Sequence, residues 1–206
     1  MRRRDLLLLA GSGLVLAACG GGGSVPRDSF YRLAIDDPGR RYGMPVLDGT
    51  VEVTRFEADG LTSERAVIYQ ESGPALRQYS YHYWVDSPTL LLQEAIVNAL
   101  RQSRAAPRVV TPGARVRSDY QVTGKLNQLQ HTIRGGGGAE VVIALDINVT
   151  RTADGRLVLH KRYIERSPVQ GEGVPAAVEE FQTALTGVAA RFLDDLAEAN
   201  GVESTG

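Results

Sequence analysis

Apolar positions follow two rhythms along this chain. From Val46 to Ala58, Leu47, Val51 and Val53 alternate with Asp48, Thr50, Glu52 and Thr54, which predicts a half-buried strand. Shorter runs predict strands over Ser29–Ile35, Arg65–Gln70 and Leu76–Val85, separated by turns at Asp36–Gly39, Asp59-Gly60 and Gly73-Pro74. The rhythm then changes. Leu92, Ile96, Ala99 and Leu100 repeat at helical spacing behind Ser87 and Pro88, a good N-cap and first helical residue, and Pro107 marks the end. After a brief strand at Val109-Val110 comes a three-stranded meander. Tyr120, Val122 and Leu126 hold one phase and Leu129 and Ile133 the other, so a bulge is expected near Asn127-Gln128. Glu140–Thr152 has the cleanest alternation, with Val141, Ile143, Leu145, Ile147 and Val149 inward. Asp154-Gly155 turns the chain into a strand over Leu157–Glu165. A second helix starts at Pro175, carries Val178, Phe181, Leu185, Val188, Phe192 and Leu196 as a stripe, and ends at Gly201. The order is four strands, a helix, three or four strands, and a helix. Two amphipathic helices can cover one face of such a sheet. The pattern predicts an α+β two-layer sandwich with a mostly antiparallel or mixed sheet.

The first nineteen residues stand outside this pattern. Arg2, Arg3 and Arg4 precede an apolar run from Leu6 to Ala18, and Leu16-Ala17-Ala18 leads into Cys19, the only cysteine of the chain. The run is too short to span a bilayer, which needs roughly 20 residues, and its layout is that of an export signal. It resembles a bacterial lipoprotein signal, whose lipobox is cleaved before a cysteine that is then lipidated. That resemblance implies a signal over 1–18 and lipid attachment, palmitate included, at Cys19. Asp after the cysteine would be the class's inner-membrane retention signal. Gly20 stands there, so the class rule implies the outer membrane, facing the periplasm. Arg3-Arg4-Asp5-Leu6-Leu7 also resembles a twin-arginine signal, so Sec and twin-arginine export both fit. Gly20–Pro26 reads as a flexible tether of about 15 Å within a linker spanning 19–27. A single domain is expected over 28–200, with a frayed tail at 201–206.

Without its first eighteen residues the chain keeps 20 basic against 23 acidic residues, because the signal holds three arginines and one aspartate; the net charge is about −3. No basic tract remains, so the electrostatic footprint of nucleic-acid binding is missing. A lone, lipidated cysteine permits no intrachain disulfide, and the domain must stand on its core.

Catalytic chemistry finds no foothold in the motifs. His82, His131 and His160 lack partners at metal-ligand spacing, so no metal and no cofactor is expected. No phosphate-binding loop or nucleophile elbow is present, and Gly135–Gly138 sits between two strands as a hairpin loop. Glu179-Glu180 and Asp194-Asp195 are carboxylate pairs on the polar face of the last helix, where adjacent members point apart. Two surfaces remain. Tyr79, Tyr81 and Tyr83 alternate onto one strand face with Trp84 on the other; that face is either core beneath the helices or a surface meeting a partner or a lipid. The outward face of the meander (Lys125, Asn127, Asp146, Asn148, Lys161) is polar and reads as solvated.

Phe30-Tyr31-Arg32-Leu33, Val51-Glu52-Val53, Arg65 with Ile68-Tyr69, Leu76, Tyr79 with Tyr83-Trp84, and Pro88 before a helix with Leu91, Leu92, Ile96 and Leu100 follow the lipobox in order. This succession, over about residues 28–198, resembles the ABC-type transport auxiliary lipoprotein family. The resemblance implies a two-layer α/β domain without catalytic residues. It also implies a role beside MCE-type transporters, in which an ATPase and a permease work with an MCE-domain protein that bridges the periplasm and moves phospholipid or other hydrophobic molecules. The lipoprotein would dock that protein at the outer membrane, and some relatives form homo-oligomeric rings. An envelope-integrity or outer-membrane assembly lipoprotein working without a transporter is the alternative.

Overall fold

The computed structural model describes residues 26–202. The expected signal, Cys19, the tether up to residue 25 and the last four residues lie outside them. In chain order the elements are β1 (Ser29–Tyr31), β2 (Thr50–Val53), β3 (Glu57–Ala58), β4 (Ala66–Gln70), β5 (Leu76–Trp84), α1 (Pro88–Gln102), β6 (Arg108–Val110), β7 (Tyr120–Ile133), β8 (Ala139–Arg151), β9 (Leu157–Pro168) and α2 (Gly173–Ala199). The nine strands belong to one curled, mixed sheet, and the fold is α+β as the pattern predicts.

Strand β7 is the spine. Along one edge it pairs antiparallel with β8, from Tyr120↔Arg151 to Ile133↔Ala139, and β8 pairs antiparallel with β9. The register shifts between Leu126 and Gln128, where the change of phase predicts a bulge. That one extra residue brings Leu129, 3% exposed, onto the same side as Val122 and Leu126. Along its other edge β7 takes three short parallel strands in turn: β2 at Tyr120, β3 at Lys125 and β4 at Gln130. Strand β6 extends β2, whereas β5 and then β1 extend β4. The sheet therefore branches into two wings at opposite ends of β7. From Tyr120 to Gln130 the strand rises about 33 Å.

Two expected strands are interrupted. Residues 46–58 form β2 and β3 rather than one strand, because Val53 pairs with Val122 but Glu57 with Lys125, leaving one residue too many opposite β7. The surplus lets Phe56 turn into the core at 3% exposure, while Arg55 reaches α1 through the Thr89 hydroxyl at 3.0 Å. Val46 and Leu47 instead bond the Ala105 carbonyl at 2.8 and 2.9 Å. Strand β1 ends at Tyr31, after which Leu33 and Ile35 pack into the core outside the sheet. The Ser87 side chain makes no cap bond to the α1 backbone and is held by Arg55 instead; Pro88 does open the helix.

Both helices join one core with a single side of the sheet. The α2 stripe from Val178 to Leu196 is buried throughout, and α1 adds Leu92, Ile96, Ala99 and Leu100. Phe181 meets Trp84 edge-on at 5.7 Å, tying α2 to β5. Buried Gln93 donates to the Val53 carbonyl at 2.8 Å, tying α1 to β2. Each large side chain so buried contributes roughly 1.5–3 kcal/mol. Gly124 permits the closest approach: a Cβ there would land 2.5 Å from the Asp146 carbonyl and against the edge of the Phe56 ring. On the helix-free side, Ile68, Val142 and Ala144 are also buried, in the curl of the sheet.

Phe181→Ala should cost about 3–5 kcal/mol of unfolding free energy in urea titrations, the usual range for deleting a buried ring. Gly124→Ala should cost about 1–3 kcal/mol as an overpacking defect, and Phe56→Leu combined with it should recover part of that loss.

Candidate interaction surface

Strand β5 departs from simple alternation. Gln78 pairs with Ile68 and Tyr83 with Ala66, so four β5 residues, from Tyr79 to His82, face the single β4 residue Val67. Tyr81 sits in this bulge with φ of 64°, a left-handed conformation that is uncommon for a bulky residue. Such a backbone costs of order 1–3 kcal/mol and persists where its surroundings over-determine it.

The bulge changes which residues share a side. Tyr79, Tyr81 and Tyr83 do not form one aromatic strip. Tyr79 packs against the core on the helix side with Trp84, which is 1% exposed. Tyr83 faces the helix-free side, where its ring lies 5.8 Å from that of Phe30. Tyr81 is 45% exposed on the bulge itself.

Two tyrosine–histidine bonds hold the bulge at its two ends, Tyr79 and His82. The Tyr79 hydroxyl lies 2.8 Å from His131 Nδ1, and the Tyr31 hydroxyl lies 2.8 Å from His82 Nδ1. Tyr69 stacks on Tyr79 at 4.3 Å, and Tyr79 meets His82 edge-on at 6.0 Å. Burial, with Tyr69 and Glu71 nearby, pushes the Tyr79 hydroxyl up to about 12. Burial also holds the His131 imidazole below its usual range, so it is neutral near pH 7. Its Nε2 is buried without a hydrogen-bond partner.

Arg65, Tyr69 and Trp84, the positions that carry the family resemblance, have structural work here. The Arg65 guanidinium donates to the Trp84 carbonyl at 3.2 Å and the Val85 carbonyl at 3.0 Å, and it lies 5.8 Å over the Phe30 ring. It thereby pins the end of β5 to the turn before β4. No local signal in the sequence marks the bulge or pairs these tyrosines with these histidines, because the partners lie 51 and 52 residues apart.

The polar face of the meander is partly as expected. Asn127 donates to Asp146 at 2.8 Å, and Arg162 grips the same carboxylate through Nε at 2.6 Å and Nη2 at 2.8 Å. Arg162 above all, with Asn127, lowers Asp146 to about 2. Asn148 joins Thr123 and His160. Lys161 belongs to the other side of the sheet, where it reaches Asp195 of α2 at 2.7 Å. The adjacent carboxylates of α2 diverge: Asp194 holds Arg40, while Asp195 holds Lys161 and Tyr163. Among the described residues, no three His, Cys, Asp or Glu side chains come together as a metal-ligand group.

His131 makes stability depend on pH. The unfolded imidazole binds a proton near pH 6.5 and the buried one resists it, so the stabilisation is complete above that pH and is lost as pH falls toward the folded value. Urea titrations at pH 7.5, 6.5 and 5.5 should show stability falling with acid, and His131→Leu should flatten the slope by up to about 1.4 kcal/mol per pH unit. An unchanged slope would remove His131 from the acid response.

A family model described as ABC-type transport auxiliary lipoprotein component matches residues 31–192. Among solved structures, a Xanthomonas campestris protein of the DUF330 family is 18% identical, with 80% of this chain and 92% of that one covered at a TM-score of 0.72. An uncharacterized protein, also 18% identical, covers 82% of this chain and 97% of its own at 0.59. At these identities the structures speak for the fold. No curated protein matches the chain. The match spans the sheet from β1 to β9 and most of α2, and the chain belongs to the ABC-type transport auxiliary lipoprotein family.

Proposed function

We propose that this protein is the non-enzymatic outer-membrane auxiliary lipoprotein of an MCE-type ABC transport system that moves phospholipid or other hydrophobic molecules across the envelope. The observation that carries this reading is the family match over 31–192 behind the lipobox Leu16-Ala17-Ala18-Cys19. Cys19 is the lipid attachment site and 1–18 the cleaved signal. The acyl chains hold the body at the membrane, each buried methylene contributing roughly 0.8 kcal/mol. Tethering raises the effective concentration of the body at a bridging MCE protein, so a weak contact suffices for docking. A homo-oligomeric ring would multiply that contact. The candidate contact surface is the aromatic wing of the sheet, with Tyr81 and Tyr83 outward and Tyr79 and Trp84 supporting them from within, and it meets either the protein partner or the lipid surface.

Crosslinking and affinity purification of the full-length protein from its native membrane test this, with Cys19→Ala as the unanchored control. An MCE-domain protein should be recovered together with its permease and ATPase, and recovery should fall at least about tenfold without the anchor. Recovery of barrel-assembly or lipopolysaccharide components alone would instead make it an assembly lipoprotein that works without a transporter.

A further inference from the structure

The chain enters its fold across the helix-free side of the aromatic wing. Asp28 lines a hollow of about 410 Å³ whose other walls include Phe30, Arg65, Gln78 and Tyr83. Phe30 is 56% exposed, and Tyr81, 45% exposed, stands on the bulge two residues before Tyr83. Exposed rings gathered on one face of a body mark a contact surface. Nine Cα-to-Cα steps separate Cys19 from Asp28. They reach about 17 Å as a coil and about 30 Å at full extension.

We propose that this patch is the seat on which the body rests against the bilayer that holds its own acyl chains, at the level of the lipid headgroups. The proposal rests on the reading of Cys19 as the lipid attachment site. Three observations select the bilayer as occupant. Asp28, nine steps after Cys19, lines the hollow, so the headgroup layer lies within reach of Phe30 without any rearrangement of the fold. The exposed groups are rings, and tyrosine in particular settles at membrane–water interfaces with its hydroxyl toward water. Finally, charge does not hold the seat: Arg65 in the lining and exposed Arg27 beside it stand against Asp28 and Glu64, so the hollow has no net positive charge to draw anionic lipid. The seat therefore works through ring burial and is indifferent to anionic lipid. Its consequence is orientation. The wing formed by β2 and β6, with Met44 (72% exposed) in the loop before β2, lies at the other end of β7 and is turned away from the membrane.

The test uses the full mature chain in proteoliposomes of phosphatidylethanolamine and phosphatidylglycerol, with and without bromine on the upper acyl chain. Phe30→Trp and Met44→Trp each add one reporter to the buried Trp84 baseline. Mass spectrometry of the same samples reads the acyl groups on Cys19. The added emission of Phe30→Trp should fall by about half in brominated vesicles, that of Met44→Trp should not change, and neither salt nor the phosphatidylglycerol fraction should alter the result. A cysteine without acyl mass overturns the anchor and the seat with it. Acyl mass without quenching of Phe30→Trp, or with equal quenching at both positions, overturns the seat alone. A blue shift of Phe30→Trp that appears with self-association and without quenching makes the patch an interface between copies and also overturns the seat.

Discussion

Everything in this fold hangs on the ladder between β7 and β8. It is the one long antiparallel pairing in which each strand carries a full apolar row on the helix side, from Val122 to Leu129 on one and Val141 to Val149 on the other. A slip of one residue would turn those rows to the wrong face, so burial of the row sets the register. The short strands have no such protection. Strands β2, β3 and β4 have four, two and five residues, and they find their places only because β7 offers a free edge long enough to take all three. The bulge at Leu126–Gln128 belongs to the same constraint, since it keeps Leu126 and Leu129 on one side of a curled sheet.

Branching at both ends of β7 separates two tasks. At the β2–β6 wing the sheet is held by apolar packing and by polar links to α1, such as Gln93 to Val53. At the β4–β5–β1 wing it is held by aromatic contacts: Trp84 on Phe181, Tyr69 on Tyr79, and two tyrosine–histidine bonds. The second wing stores backbone strain at Tyr81 and leaves Phe30 and Tyr81 in solvent. Strain and exposed rings both oppose stability, and natural folds tolerate them where a surface has work to do. On the proposed reading that work is contact, and the chain leading back to Cys19 leaves from this wing.

Local pattern carried much of the architecture. Period-two alternation in 140–152 and the two helical stripes were legible because each element buries one face against a common core, so its apolar positions must recur with its own geometry. The bulge in β7 was legible for the same reason: leucines in two phases within one strand leave no other way to bury both. The tyrosines of β5 were not. Their alternation is real in sequence, but a tyrosine with positive φ has no local signature, and the contacts that stabilise it come from residues about fifty positions away. Lys161 lies on the helix side rather than beside Asp146 for a related reason: β9 carries polar residues on both faces, and its phase is set by β8.

The sequence by itself determined the anchor motif, the class of fold, the core faces of the long elements and the family pattern. All of these are written in short-range spacing, which chain geometry converts directly into faces and termini. The tertiary structure decided which strands neighbour β7, where β2 breaks, and which tyrosines meet solvent. Those outcomes depend on pairings between distant segments, where short strands with little apolar content of their own take whatever edge, register and twist the central ladder presents.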